Sequence, residues 1–371
     1  MENIINKKSN KIRVAISHGD LNGIGYEVIL KTFNDSRMFD ICTPIVYGLS
    51  KVGSYHRKTI PNLGIDFNLI KNCASANPKR LNIINVSNQD AKVDLGQSTT
   101  EAGELSYISL ERATTDLDKG CDVLVTAPIN KDNIQSSEFN YPGHTEYLAE
   151  KFADDEELMI LASKALRVAV VTGHIPVSQV AETITKDLIL RKLKIFEKSL
   201  IRDFGIRKPR IAVLGLNPHA GDNGLLGKNE LEVVTPAIDE SKEKGILAYG
   251  PFPADGFFGS DDFLKFDGIL AMYHDQGLTP FKIISFEDGV NFTAGLSIVR
   301  TSPDHGTAYE IAGKDKAMPD SFRAAIYMAC DIFRKRQEYD SINANPLKES
   351  KQERPKRDRD IAAKELPEVN D

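Results

Sequence analysis

The chain reads LRVAVVTGH at residues 166–174, TKDLILRKLKIFEKSLIRDF at residues 185–204 and RIAVLGL at residues 210–216. The first and third stretches are short aliphatic and β-branched runs, which favour buried strands. The middle stretch repeats its apolar residues at helical spacing. A strand, an amphipathic helix and a second strand in this order predict a βαβ unit, in which both strands lie parallel in one sheet.

The same alternation extends along most of the 371 residues. Strand-like runs stand at 11–17, 43–48, 80–86, 121–127 and 157–163, and helical patterns separate many of them. We therefore predict an α/β fold with helices on both faces of a largely parallel sheet. Because the chain is longer than an average domain, we expect two α/β/α domains with a cleft between them.

The predicted domain boundaries follow these segments. Residues 1–140 together with 285–337 are expected to form the first domain, and residues 141–284 the second. Residues 338–371 are predicted to form a charged, disordered tail, since 10 of the 13 residues from Lys348 to Asp360 are charged. Such a stretch cannot bury enough apolar area to offset the entropy lost on ordering.

Three histidines follow short apolar runs: VAVVTGH ends at His174, IAVLGLNPH at His219 and GILAMYH at His274. Because parallel strands end at one edge of an α/β sheet, the three side chains are expected to meet there. Three imidazoles with an open fourth position suit a divalent metal that acts as a Lewis acid. A single histidine at a strand end is more often an ordinary loop residue, so the prediction depends on the shared context.

Composition excludes several classes of protein. The net charge is −6, so no general basic field is present to attract nucleic acid. The first residues pass from a polar arm directly into a strand without the apolar core of a signal peptide, and no run approaches the length of a membrane helix. The four cysteines form no CxxC pair, which favours reduced thiols and a cytoplasmic location.

Two glycine-rich stretches resemble nucleotide-binding motifs only in part. Gly23 and Gly25 stand between a strand and a helix, but Val28 occupies the position of the third glycine of a Rossmann fingerprint. Near Gly221 the spacing is one residue too long for a phosphate loop, and Asn229 replaces the Ser or Thr that would contact magnesium. We therefore expect neither a Rossmann fingerprint fold nor a phosphate-loop nucleotidase.

A better anion site is predicted at residues 139–152, FNYPGHTEYLAEKF. Thr145 is expected to cap a helix whose first free N–H groups face a phosphate or carboxylate, with His144 on the same turn. Lys282, Asn291 and Arg300, the last at the end of the strand-like run LSIVR, would add charge and hydrogen bonds. An ordinary capped helix and solvated surface cations are the alternative.

The segment HGTAYEIAG at 305–313, followed by Ala317 and Pro319, is similar to the adenine loop of the β-decarboxylating isocitrate and isopropylmalate dehydrogenases. That group binds NAD without a Rossmann fingerprint. The resemblance implies a fold like theirs and a cofactor contact, with NAD or NADP as the cofactor. The implied contact residues are His305, Gly306, Thr307, Ala308, Ile311 and Gly313.

The full set of motifs resembles a narrower family, the 4-hydroxythreonine-4-phosphate dehydrogenases of pyridoxal phosphate biosynthesis. It consists of GDLNGIGYE at 19–27, TAPINK at 126–131, PGHTE at 142–146, TGHIP at 172–176, GLNPHAGDNG at 215–224, GPFPAD at 250–255, YHDQGLTPFK at 273–282 and RTSPDHGTA at 300–308. The resemblance extends from about residue 12 to residue 335.

This resemblance implies a divalent metal, zinc, magnesium or cobalt, held by His174, His219 and His274 in a site completed across a homodimer interface. It places the contacts to a small phosphorylated substrate on His144, Thr145, Lys282, Asn291 and Arg300. The first domain would then carry the cofactor, and the second would carry the metal and the dimer contact. Asp255 and Lys282 are our candidates for the proton transfer.

The implied reaction is the NAD-dependent oxidation of 4-phosphooxy-L-threonine to a β-keto acid, which then loses carbon dioxide. A sister dehydrogenase of another phosphorylated hydroxy acid, such as 4-phosphoerythronate, is the first alternative. A metal-dependent hydrolase or phosphate acyltransferase on a similar scaffold is the second, and a non-catalytic binding module is the third.

Overall fold

The computed structural model describes residues 11–346, which alternate between strands and helices. The strands are β1 (Ile12–Ser17), β2 (Cys42–Gly48), β3 (Phe67–Leu69), β4 (Leu81–Asn85), β5 (Val123–Thr126), β6 (Ala153–Ala162), β7 (Arg167–Thr172), β8 (Arg210–Leu214), β9 (Leu247–Phe252), β10 (Gly268–Tyr273), β11 (Val290–Leu296) and β12 (Arg300–Pro303). The helices are α1 (Gly25–Asn34), α2 (Met38–Ile41), α3 (Ser50–Thr59), α4 (Thr100–Thr115), α5 (His144–Phe152), α6 (Val177–Thr183), α7 (Lys186–Arg202), α8 (Thr235–Glu243), α9 (Ala254–Gly259), α10 (His274–Ile284) and α11 (Asp320–Asn343).

The strands form one sheet in the order β3-β4-β2-β1-β5-β12-β11-β6-β7-β10-β8-β9. The six strands from β3 to β12 are parallel to one another, and so are the four strands from β7 to β9. The predicted α/β fold with a largely parallel sheet is confirmed. The predicted boundaries of the two domains stay a prediction.

Two strands in the middle of the sheet run against their neighbours. β11 is antiparallel to both β12 and β6, and β6 is antiparallel to β7. Sequence patterns predicted a strand that ends at Arg300. That prediction was wrong, because β11 ends at Leu296, the chain reverses, and Arg300 is the first residue of β12.

The last helix is longer than the sequence predicted. α11 continues to Asn343, so residues 338–343 are helical and do not belong to a disordered tail. Contacts with the C-terminal end of α7 hold this part of the helix: Arg336 donates to Asp203, the C-cap of α7, at 2.6 Å, and Arg202 donates to Asp340 at 2.9 Å. The remainder of the predicted tail, from residue 347 onward, lies outside the described residues.

The helices cover the sheet with apolar faces. In α7 the side chains of Ile189, Leu193, Phe196 and Leu200 recur every three or four residues, and all are fully buried. Burying side chains of this size stabilises the fold by about 1.5–3 kcal/mol each. In the described part of the chain, no helix combines the length and apolar character needed to cross a membrane.

A stack of three buried rings supports the loop between β1 and α1. Tyr26 lies between His18 and His56, with ring centres 5.1 Å from each. His18 is fully buried, and neither ring nitrogen has a hydrogen-bond partner among the described residues. Burial lowers the pKa of His18 to about 3 and the pKa of His56 to about 4, because an imidazolium cannot be solvated there.

These pKa values predict acid lability. The unfolded chain binds a proton at each histidine near pH 6.5, whereas the folded chain rejects it until the pH is far lower. The free energy of unfolding should therefore be constant above pH 6.5 and fall as the pH drops toward 4, by about 1.4 kcal/mol per pH unit for each histidine.

The variant His18→Phe keeps an aromatic ring against Tyr26 and removes one titrating group. Urea unfolding at pH 7 and pH 5 should show a smaller loss of stability in this variant than in the wild type. The exposed His219→Gln serves as the control and should lose as much stability as the wild type. Equal losses in all three proteins would contradict the assignment.

Candidate active site

A cavity of about 290 Å³ lies against the central strands. Side chains alternate between the two faces of a strand, so Met159 and Leu161 of β6 share a face with Asn291 of β11, which pairs with Leu161. Arg300 and Ser302 of β12 share that face too, because Ser302 pairs with Asn291. All five side chains line the cavity, so β6, β11 and β12 form its floor.

Four other segments form the walls. They are the residues after β5 (Ala127, Pro128, Ile129 and Lys131), the start of α5 with its N-cap (Gly143 to Glu146), one face of α10 (His274, Leu278 and Lys282) and the end of β12 with the loop that follows it (Pro303 to Gly306). His174, which follows β7, closes the remaining side.

Arg300 is the strongest chemical feature of the cavity. The residue is 2% exposed, and its guanidinium donates to the hydroxyls of Thr126, at 2.8 and 3.2 Å, and of Thr293, at 3.2 Å. In the described part of the chain it forms no ion pair within 4 Å. Burial lowers the pKa of Arg300 to about 10. A buried guanidinium that faces a cavity and whose hydrogen-bond partners are all neutral is suited to an anionic ligand.

Several other buried polar atoms around the cavity lack a hydrogen-bond partner among residues 11–346. They are Nε2 of His144, Oε2 of Glu146, Oδ1 of Asn291 and Nε2 of His305. Most buried polar atoms in proteins are hydrogen-bonded, so four such atoms in one cavity indicate the place of a polar ligand. Since the atoms include acceptors, that ligand must offer donors as well as negative charge.

The structure corrects the predicted helix cap. α5 begins at His144 with Gly143 as its N-cap, and Thr145 therefore lies inside the first turn and makes no capping hydrogen bond. The break at Pro142 and Gly143 places both the N-cap and the first helical residue two positions earlier than predicted. Burial, followed by the charges of Arg300 and Lys131, lowers the pKa of His144 well below its usual value, so the imidazole is neutral.

His174 and His274 lie side by side, with ring centres 5.7 Å apart. Nδ1 of His174 is 3.2 Å from Oε1 of Glu146, and Nδ1 of His274 is 2.7 Å from Oδ1 of Asp275. A carboxylate that accepts from Nδ1 fixes the ring and leaves Nε2 for a metal ion. Two imidazoles bound to one zinc ion at about 2.1 Å have ring centres roughly 5 to 6 Å apart, which fits this pair.

His219 does not join this pair within one chain. The three histidines follow β7, β8 and β10, as the short apolar runs predicted, and these strands are parallel neighbours that end at one edge of the sheet. However, His219 is exposed in a left-handed segment, Pro218–Gly224, and does not line the cavity. Within the described residues, no group of three or more His, Cys, Asp or Glu side chains is arranged to hold a metal ion. The metal site of His174, His219 and His274 stays a prediction. A single chain brings only His174 and His274 together.

The two candidates for proton transfer lie in different places. Lys282 lines the cavity, with Nζ 3.6 Å from Oδ1 of Asp304, and burial raises the pKa of Asp304. Asp255 is exposed on α9, away from the cavity. α9 packs against the Pro218–Gly224 segment, so Asp255 and His219 are carried by adjoining elements.

The predicted cofactor loop packs against the loop that precedes α1. The backbone N–H of Ile24 donates to the carbonyl of Thr307 at 3.1 Å, and the hydroxyl of Tyr309 donates to Asp20 at 2.7 Å. Gly313 adopts a left-handed φ of 72°, where a Cβ would collide with the side chain of Leu95. His305 and Gly306 line the first cavity, whereas Ala308 and Ile311 line a second cavity of about 410 Å³.

Sequence reasoning did not select four residues that the structure brings to the site: Thr126, Lys131, Glu146 and Asp304. Thr126 and Lys131 belong to the TAPINK motif, which follows a predicted strand, and that position was the available signal. Glu146 and Asp304 are adjacent in sequence to selected residues, but their contacts with His174 and Lys282 are tertiary and leave no sequence pattern.

The variant Arg300→Met tests whether the buried guanidinium of Arg300 binds an anion. Inorganic phosphate should stabilise the wild type, by about 2.7 kcal/mol when its concentration is 100-fold above the dissociation constant, and should not stabilise the variant. Without phosphate the variant should be at least as stable as the wild type, because a buried unpaired charge is removed. Thermal unfolding with and without phosphate measures both effects. The exposed Arg37→Met is the control, and a phosphate effect retained in Arg300→Met would contradict the assignment.

Comparisons with known proteins identify the family of this chain. Residues 40–329 match the family model described as pyridoxal phosphate biosynthetic protein PdxA. The chain is 55% identical over 343 residues to 4-hydroxythreonine-4-phosphate dehydrogenase of Bacteroides thetaiotaomicron, which covers 92% of this chain and 94% of that relative. It is 41% identical over 329 residues to the protein of the same name from Sulfurihydrogenibium sp., with 88% and 100% covered.

A solved structure gives the same result. The crystal structure of 4-hydroxythreonine-4-phosphate dehydrogenase from Klebsiella pneumoniae superposes with a TM-score of 0.76 and 34% identity, and the match covers 88% of this chain and 99% of that one. Because the relatives are dehydrogenases, the alternatives of a hydrolase, an acyltransferase and a non-catalytic module are set aside. The chain therefore belongs to the pyridoxal phosphate biosynthetic protein PdxA family, and it is an oxidoreductase.

Proposed function

We propose that this enzyme uses NAD to oxidise the C3 hydroxyl of 4-phosphooxy-L-threonine in pyridoxal 5′-phosphate biosynthesis, in the cytoplasm. The products are 2-amino-3-oxo-4-phosphooxybutanoate and NADH, and the β-keto acid then loses carbon dioxide to give 3-amino-2-oxopropyl phosphate. The relatives named above carry the name of this substrate. The observation that carries the proposal is the buried, unpaired Arg300 in a cavity bordered by two carboxylate-held imidazoles.

The positively charged side chains in the cavity suit a substrate that carries a phosphate and a carboxylate. Arg300, Lys131 and Lys282 all line the cavity and can share the negative charge of a phosphate and a carboxylate. The unpartnered acceptors, Oε2 of Glu146 and Oδ1 of Asn291, suit an ammonium group, which offers three donors. This favours an amino acid over 4-phosphoerythronate, which carries a hydroxyl where the amino group would be.

The pair of histidines fits a divalent cation. Glu146 and Asp275 accept from Nδ1 of the two rings, which favours the tautomer with Nε2 free to bind a metal. Imidazole donors suit zinc or cobalt better than magnesium, which prefers oxygen ligands. A cation held there would supply Lewis-acid polarisation of the substrate hydroxyl and of the ketone formed from it.

We propose that His219 of a second copy completes this cation site. His219 and Asp255 are exposed on adjoining elements of the same surface, and neither lines the cavity of its own chain. Leu225 and Leu231 lie in the same region and are 79% and 52% exposed, which is typical of a surface that another protein covers. In a symmetric dimer, each copy would contribute these residues to the site of the other.

The cavity next to the cofactor loop supports the use of NAD or NADP. It shares Lys282, Asp304 and His305 with the first cavity, so a long cofactor bound in it can reach the substrate. The nicotinamide ring would supply the hydride acceptor. Among the two predicted proton-transfer residues, Lys282 is positioned within the cavity, where Nζ can accept or return a proton and Asp304 holds the side chain in place.

Spectrophotometric assay at 340 nm tests the reaction. We expect NADH to form from 4-phosphooxy-L-threonine, much more slowly from 4-phosphoerythronate, and not at all after treatment with a chelator. Restoration by zinc or cobalt would complete the assignment. Faster turnover of 4-phosphoerythronate would show that the enzyme is the sister dehydrogenase.

Mixed dimers test the shared cation site. His174→Ala and His219→Ala should each be inactive. If the two ligands come from different subunits, half of the randomly reassembled dimers contain one intact site, so an equal mixture should recover about a quarter of the wild-type activity. A mixture of His174→Ala and His274→Ala is the control and should stay inactive. No recovery in the first mixture would refute the contribution of His219 from a second copy.

A further inference from the structure

Two large apolar side chains are exposed at the mouth of the second cavity. Phe286, which follows α10, is 81% exposed, and Met318, which precedes α11, is 59% exposed. Both line the cavity. Their exposure is unfavourable in water, and exposed apolar residues that line one cavity are typical of a ligand-binding surface.

The rest of this cavity offers an apolar surface that continues into the active site. Ile24, Ala308, Ile311 and Ala317 line its inner wall, and Ala312, between the last two, is buried. Lys282, Asp304 and His305 form the boundary with the first cavity. A flat, apolar ring of a ligand could therefore lie between this wall and the two exposed side chains.

We propose that Phe286 and Met318 hold the adenine ring of the nicotinamide cofactor against this wall, an inference that rests on the proposed function. On the proposed function, the nicotinamide lies in the first cavity, next to the paired histidines and the substrate that this cavity would bind. The far part of the second cavity, beyond the three shared residues, is then left for the adenine end. Phe286 contributes an aromatic face on which a purine stacks, and Met318 contributes a polarisable thioether that contacts rings favourably.

In this arrangement Phe286 and Met318 bind and position the cofactor but take no part in the chemical step. Neither side chain can accept or donate a proton, and neither lines the first cavity. Their removal should therefore raise the KM for NAD and leave kcat nearly unchanged. Because both side chains are exposed, substitution should not alter the stability of the fold.

The composition of the chain provides a specific probe. The protein contains no tryptophan, so the variant Phe286→Trp carries a single indole at the proposed contact. Ile283→Trp is the matched control, since Ile283 is 79% exposed nearby but is not among the residues that line the cavity. The ligands are ADP-ribose, which contains adenine without nicotinamide, and nicotinamide mononucleotide, which contains nicotinamide without adenine.

We expect ADP-ribose to quench the fluorescence of Phe286→Trp and leave Ile283→Trp unchanged, and nicotinamide mononucleotide to quench neither. Calorimetry should show that Phe286→Ala binds ADP-ribose roughly 10-fold more weakly than the wild type, as expected for loss of a stacking partner. Met318→Ala should weaken binding in the same direction.

Two failures are distinguishable. If the wild type reduces NAD and binds ADP-ribose, but the fluorescence of Phe286→Trp and the affinity of Phe286→Ala do not change, the adenine contact is wrong and the proposed function stands. If the wild type neither reduces NAD nor binds ADP-ribose, the proposed function itself fails and the contact fails with it.

Discussion

The charge of Arg300 is buried at the centre of the sheet, and the rest of the site depends on it. Bringing a guanidinium out of water costs several kcal/mol unless an opposite charge offsets the loss. In this chain the nearest groups that accept its hydrogen bonds are the hydroxyls of Thr126 and Thr293, which are neutral. The fold itself stabilises this position through the packing of β12 and β11. The carboxylate of Glu146 acts on Arg300 without forming an ion pair with it, so a ligand is needed to bring a negative charge into direct contact. Burial, followed by the charges of Arg300 and Lys131, keeps His144 neutral.

The antiparallel strands in the middle of the sheet create the space for this charge. A continuous parallel sheet is normally covered by helices on both faces. Here β11 and β6 separate the two parallel halves, and their side chains at Asn291 and Met159 face a cavity instead of a helix. The two halves then supply different groups to the cavity. One half supplies the hydroxyl of Thr126 at the end of β5 and the side chain of Lys131 after it, and the other half supplies the imidazoles that follow β7 and β10. The cavity is thus a consequence of strand order.

The sequence predicted those parts of the molecule that depend on local pattern. The largely parallel sheet and the position of each of the three histidines after a strand follow from aliphatic runs and helical spacing, and the structure confirms them. The order of those strands in the sheet was not predicted. The reversal at residues 297–299 could not be predicted, because Ile298 and Val299 continue the aliphatic pattern of β11. The extension of α11 depends on contacts of Arg336 and Asp340 with α7, more than 130 residues away. The pairing of Glu146 with His174 is likewise a tertiary contact.

The conformation of the loop that carries His219 explains why the side chain does not meet His174 and His274 in the same chain, although all three residues follow neighbouring strands. Residues 219–223 all have positive φ, and four of them are not glycine, a conformation that costs about 1–2 kcal/mol for each such residue. Buried Glu230 opposes this cost, since its carboxylate accepts from the backbone N–H groups of Leu216 and Asn217 at 2.8 and 2.7 Å. Gly221 packs so closely on Glu230 that a Cβ there would lie 2.6 Å from Oε2. A strained loop held this firmly presents His219 outward in one fixed orientation, and backbone strain that persists at this cost is typical of functional positions. The proposed contribution of His219 to the site of a second copy would use this outward orientation.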